Sequence, residues 1–192
     1  VNLSSFLAMV VGVLDDAGIP GMVTGSLASS FYATPRATQD VDVVIAADPD
    51  GIDRLVSGLL SLGLYVDRAA AHSAGRNHSP FNAIHPESGW KVDLICRRDR
   101  AFSVMEFSRR RPVNLLGVEV AIASLEDLVL SKLEWSRMGD SELQRRDVLH
   151  LLEQRGGEID RAYVDRWARE LGLESEWRTV LEAAPFDPHP DP

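Results

Sequence analysis

Asp40 and Asp42 are the residues whose type and spacing most directly suggest chemistry. In Gln39-Asp40-Val41-Asp42-Val43-Val44-Ile45 they stand two apart on a β-branched apolar run, the composition of a strand. Successive side chains of a strand alternate faces, so the two carboxylates point the same way while Val41 and Val43 enter a core. Like charges held that close repel, and each raises the other's pKa unless a cation lies between them. A hard divalent ion such as Mg2+ takes oxygen ligands and keeps waters and phosphates in its remaining positions, so a metal bound with a nucleotide is the natural guest. Upstream, Met22-Val23-Thr24 reads as a short strand leading into Gly25-Ser26 and a helix. Gly25 lets the backbone approach a phosphate closely, and the helix opening near Ser26 offers free N–H groups and a positive dipole end to an anion. A lone Asp-x-Asp is ordinarily a solvated strand end and a lone Gly-Ser a loop; together, between apolar strands, they are far more specific.

The full pattern is an apolar residue, Gly25-Ser26, thirteen residues, Asp40-Val41-Asp42-Val43, and later an apolar-Asp-apolar run in Trp90-Lys91-Val92-Asp93-Leu94-Ile95. It resembles the signature of the DNA polymerase beta-type nucleotidyltransferase superfamily, with no departure in these three motifs. The resemblance implies Asp93 as a third carboxylate. Independent support comes from its place mid-strand, facing the same way as Lys91 and Ile95, where an aspartate buried unpaired costs free energy and calls for a cation. Arg36 and Thr38, just before the paired aspartates, resemble the superfamily branch that includes AbiEii-type abortive-infection toxins. The Arg36 guanidinium suits a phosphate, or else neutralises Asp40 and Asp42.

The elements that must position these groups follow from periodicity. Residues 4–17 predict a first helix capped by Ser4 or Ser5 and ended by Gly18. Asp50-Gly51 opens a helix to about Leu62, and residues 67–79, with His72, Arg76 and His78, read as a loop or mobile segment. Two histidines six apart with no cysteine partner are a weak metal motif, and that role is rejected. Residues 81–85 and 90–95 predict a hairpin about a four-residue turn. A short helix over 101–108 follows, then runs at 113–116 and 118–122 that form a second hairpin or extend the sheet.

From residue 124 the pattern is helical. Ser124 and Asp127 fit a capping box. Lys132 falls within the apolar stripe, three after Val129 and four after Leu128, so it must snorkel, pair or meet an anion. Gly139-Asp140-Ser141 breaks this helix, and a second runs over 142–154 with Asp147 at the edge of its stripe. Folded back antiparallel, the two helices put Lys132 and Asp147 level, as a salt bridge or jointly facing a site. Lys132 with Arg146-Asp147 again resembles the AbiEii-type family, which implies nucleotide handling. Helices over 160–170 and 174–183 close the chain before a proline-rich tail expected to be disordered.

With 45% hydrophobic and 26% charged residues over 192, the composition is that of an ordinary soluble protein. No apolar run approaches the roughly 20 residues of a membrane span, and with no signal peptide read, a cytoplasmic location is expected. The single cysteine, Cys96, rules out intrachain disulfides and is expected to be a buried small side chain. A net charge of -9 argues against a broad nucleic-acid surface, though Arg97, Arg98 and Arg100, or Arg109, Arg110 and Arg111, could line a local groove.

The expected fold class is α+β: a small mixed β-sheet flanked by helices, the nucleotidyltransferase fold implied by the resemblance. A core over 1–123 is followed by a helical subdomain over 124–184 and a tail over 185–192. The implied function is Mg-dependent transfer of NMP from an NTP to an acceptor hydroxyl, with Asp40, Asp42 and Asp93 catalytic and binding two Mg2+ or Mn2+ ions. Gly25, Ser26, Arg36, Lys132 and Asp147 would bind the nucleotide. Acceptors rank as RNA such as a tRNA end, then protein, then small molecule, then none. The branch further implies a toxin with a cognate antitoxin. A non-catalytic nucleotide-binding module and a metal-dependent phosphoester hydrolase are the alternatives; loss of a carboxylate would have favoured the former, and all three are present.

Overall fold

The computed structural model describes residues 1–35, 38–139 and 141–184, so Arg36, Asp140 of the expected helix break, and the tail lie outside the described residues. The residues group into two compact units, one of 1–27 with 36–123 and one of 28–35 with 124–192.

The first unit is built on a mixed sheet. Its strands are β1 (Gly21–Thr24), β2 (Asp40–Ile45), β3 (Tyr65–Val66), β4 (Pro80–Ile84), β5 (Lys91–Cys96), β6 (Arg111–Leu115) and β7 (Val118–Ile122), in the order β3-β4-β5-β2-β1-β7-β6. β2 runs antiparallel to β1 and parallel to β5, and β1 runs parallel to β7. The β4–β5 and β6–β7 hairpins complete the two sides, so the second hairpin also extends the sheet. Val41, Val43, Ile45, Val92, Leu94 and Cys96 are all buried, the inward half of the two-residue alternation.

Helices α1 (Leu3–Asp16), α3 (Pro49–Ser61), α4 (Arg68–Asn77) and α5 (Ala101–Ser108) belong to this unit. α1 packs on α3 and β7, and α3 packs on α4. The cap of α1 is Asn2 rather than either serine: its side chain accepts from Ser5 N at 2.9 Å, while Asn2 N donates to Ser5 Oγ at 3.0 Å. Residues 68–77, expected as a loop, are helical. Asp67 caps them by accepting from Ala70 N at 3.0 Å, and the alanines bury Ala71 and Ala74. Small, polar composition here signals a thin amphipathic helix, because alanine is the best helix former.

Helix α2 (Gly25–Tyr32) starts in the first unit, and its residues from Ala28 onward group with the second. The second unit otherwise comprises α6 (Leu125–Gly139), α7 (Glu142–Arg155), α8 (Arg161–Leu171) and α9 (Glu174–Ala183). α6 packs against each of the other three, burying Leu128, Val129, Leu130 and Leu133. Its first turn is locked by a buried network. Asp127 N donates to Ser124 Oγ at 3.2 Å, and the Asp127 carboxylate accepts from Ser124 Oγ and Tyr163 Oη, each at 2.6 Å. Both carboxylate oxygens are thus satisfied, the condition for leaving an aspartate with no exposed surface.

Candidate active site

The parallel pairing of β2 with β5 places Asp42 beside Asp93 and Asp40 beside Lys91. Thr24 pairs with Asp42 from β1, and Asn82 with Asp93 from β4, so one face carries Asp40, Asp42, Asp93, Lys91, Thr24 and Asn82. Thr38 fixes the entry to β2: Asp40 N donates to its Oγ1 at 3.3 Å, and that hydroxyl donates to Asp40 O at 3.1 Å.

Gly25 is held against this face. Its φ of +62° lies in the left-handed region, and a Cβ there would stand 2.6 Å from Cγ of Asp42. Only glycine therefore lets α2 begin at the carboxylates. Ser26 is the next residue of that helix. Gly25→Ala is expected to cost about 1–2 kcal/mol for the left-handed backbone alone, with further loss from moving Asp42. A urea melt of the variant measures it; an unchanged midpoint would contradict the close approach.

A cation already bridges the face. Lys91 Nζ lies 2.9 Å from Asp93 Oδ2 and 3.5 Å from Asp40 Oδ1. The hydrogen bond to Asp93 raises the Lys91 pKa above its ordinary value; burial opposes this, and the charges of Asp93 and Asp40 add to it. Sequence reasoning placed Lys91 on the face of Asp93 but gave it no role. The missing signal was the neighbour across β2, which strand periodicity alone does not supply.

Among the described residues, no three carboxylate, imidazole or thiol groups gather closely enough to hold a metal ion by themselves. The donors nonetheless fit Mg2+. It is commonly held by one or two carboxylates, with waters and substrate phosphates filling the octahedron, and Asp40 and Asp93 each turn one oxygen toward the Lys91 ammonium. The fit is to an ion arriving with its nucleotide rather than to a preformed cage.

Lys132 and Asp147 meet in the second unit. Lys132 Nζ lies 2.7 Å from Asp147 Oδ2 and donates to Gln144 Oε1 at 3.2 Å, with its side chain 4% exposed. The interhelical salt bridge foreseen for this pair is formed.

Two of the histidines and three of the clustered arginines are engaged locally. His72 Nε2 sits 3.1 Å from Asp53 Oδ1, and His78 Nδ1 is hydrogen-bonded to Arg97 O at 2.6 Å. Arg97 pairs with Asp99, Arg100 donates to Ser103 Oγ, and Arg110 lies over the Phe107 ring at 4.3 Å while donating to Phe107 O. Cys96 is buried as expected, and burial pushes its thiol up to about 11, which keeps it from thiolate chemistry at neutral pH.

Solved structures share this arrangement of elements. The antibiotic-resistance factor ANT(2'')-Ia superposes with a TM-score of 0.59 over 92% of this chain and 97% of its own, at 13% identity. The fold is that of the nucleotidyltransferases. An antigenic nucleotidyltransferase-like protein from Paracoccidioides brasiliensis matches at 0.53 and 18% identity, over 92% of this chain and 91% of that one. The lincosamide antibiotic adenylyltransferase LnuA, lincomycin-bound, matches at 0.53 and 12% identity, over 79% and 96%. At these identities the likeness is one of fold. No protein-family model and no curated protein matches the chain.

Proposed function

We propose that this chain is a nucleotidyltransferase of the DNA polymerase beta-type superfamily, moving NMP from an NTP to an acceptor hydroxyl with release of pyrophosphate. The observation that carries the reading is the Asp42–Asp93 pairing across parallel strands, with Asp40 on the same face and Gly25 packed against Asp42. Bound Mg2+ would neutralise triphosphate charge and lower the barrier at the α-phosphorus. Asp40 and Asp42 would orient the nucleotide through that charge. Asp93, at the neighbouring strand position, would hold or accept the proton of the attacking hydroxyl. The first turn of α2, at Gly25 and Ser26, would donate backbone N–H groups to the outer phosphates.

The fold neighbours supply acceptor chemistry to consider. ANT(2'')-Ia has been solved with adenylyl-2''-tobramycin, and LnuA with lincomycin. The net charge of -9 and the locally engaged Arg97, Arg100 and Arg110 favour such an acceptor, or a single gripped RNA 3' end, over a broad polyanion. An AbiEii-like toxin role, with its antitoxin partner, rests on the sequence motifs at Arg36, Thr38, Lys132 and Arg146-Asp147. None of the helices among the described residues is long and apolar enough to cross a membrane.

The test is incubation with α-phosphate-labelled NTPs and Mg2+ in a cell extract, separated into small molecules, RNA and protein. Label in one fraction, dependent on the native chain, is expected and names the acceptor class. Label in none, with NTP binding retained, would favour the nucleotide-binding module instead.

A further inference from the structure

Lys91 sits where the proposed metal ligands need a cation. β5 turns Lys91 and Asp93 to one face, and the β2 register sets Asp40 beside Lys91, so a single ammonium reaches one oxygen of each carboxylate. The stem rises from a strand whose alternate residues, Val92 and Leu94, are fully buried, so its root is fixed while the head, on a flexible four-carbon chain, can move. Its side chain is 30% exposed, leaving the ammonium a path to solvent. The same carboxylate oxygens are the hard donors a divalent ion would take.

We infer that Lys91 is an internal counter-ion that competes with the divalent metal for Asp40 and Asp93, so the bare ion binds weakly and the metal–nucleotide complex binds well. Without metal, the ammonium offsets repulsion on a face bearing three carboxylates. A free divalent ion must displace it and leave it unpaired, whereas a metal–triphosphate complex brings anionic oxygens to which the released ammonium can turn. Lys91 is thus a positioning residue that couples metal binding to nucleotide binding. The inference rests on the proposed reading of the carboxylates as metal ligands.

Titration of Mn2+ without nucleotide, read as free ion by electron paramagnetic resonance, tests it on the full chain. Lys91→Met is expected to bind Mn2+ about tenfold more tightly than the native chain, the scale of one removed charge contact at a partly buried site. Its melting temperature should also rise more on adding Mn2+. Lys91→Arg keeps the charge and should restore weak binding, and Lys91→Gln repeats the test if the Met variant is unstable. Equal or weaker Mn2+ binding in both uncharged variants would overturn the inference. Asp42→Asn separates the two claims. If it abolishes Mn2+–NTP binding while Lys91→Met fails to tighten Mn2+, Lys91 alone is misassigned. If Asp42→Asn binds Mn2+–NTP like the native chain, both claims fall.

Discussion

Lys132→Met should lower the unfolding free energy of the helical unit by about 3–5 kcal/mol, the usual cost of removing one partner from a buried ion pair. Methionine occupies much the same volume as the lysine stem, so the loss comes from the Asp147 carboxylate. That side chain is 9% exposed and 2.7 Å from the ammonium it would lose. Lys132→Met with Asp147→Leu removes both charges and should recover most of the stability, because an apolar pair of similar volume carries no desolvation penalty. Urea unfolding of the native chain, the single variant and the double variant measures both effects. The folded double variant then separates structural from nucleotide-handling roles. Retained transfer assigns the pair to packing, and lost transfer with intact stability assigns it to the reaction.

The largest expected loss of activity follows Asp42→Asn, at least about a thousandfold in transfer rate, or about 4 kcal/mol of transition-state stabilisation. Asparagine keeps the shape that fits against Gly25 and beside Asp93, so the fold should persist and its melting temperature without metal should not fall. What is lost is one of the anionic oxygens that would share the metal. Asp93→Asn should reduce transfer comparably while sparing nucleotide binding, since its assigned role lies with the acceptor hydroxyl. Steady-state kinetics beside equilibrium NTP binding resolves the two variants.

Much of this arrangement was legible in the residues. The strict alternation around Asp40, Asp42 and Asp93, with valines and leucines between, specified both strands and the face of each carboxylate. The turn residues Pro86 to Gly89 specified the β4–β5 hairpin. The lateral placement of β5 against β2 was not legible, because two parallel strands joined by a long connection carry no local record of their register. That register is what sets Asp42 beside Asp93 and brings Lys91 to Asp40. Helix α4 was missed because its stripe is only alanine deep, and the two-residue β3 because a strand that short has no period to read. The grouping of residues 28–35 with the C-terminal helices escaped for a related reason. Thr34 N donates to Gln154 Oε1 at 3.0 Å, and Arg155 donates to Tyr32 O at 3.0 Å, contacts made across 120 or more residues. Lys132 and Asp147 were foreseen as level because helical rise converts residue count directly into height.

The position of the transferred phosphorus tests the central claim most directly. Parallel reactions with α-labelled and γ-labelled NTP, in the extract fraction that holds the acceptor, should leave α-label on the acceptor and release the γ-label as pyrophosphate, with Asp42→Asn inactive in both. Gamma-label on the acceptor, release of inorganic phosphate without labelled acceptor, or equal transfer by Asp42→Asn would contradict nucleotidyl transfer at this face.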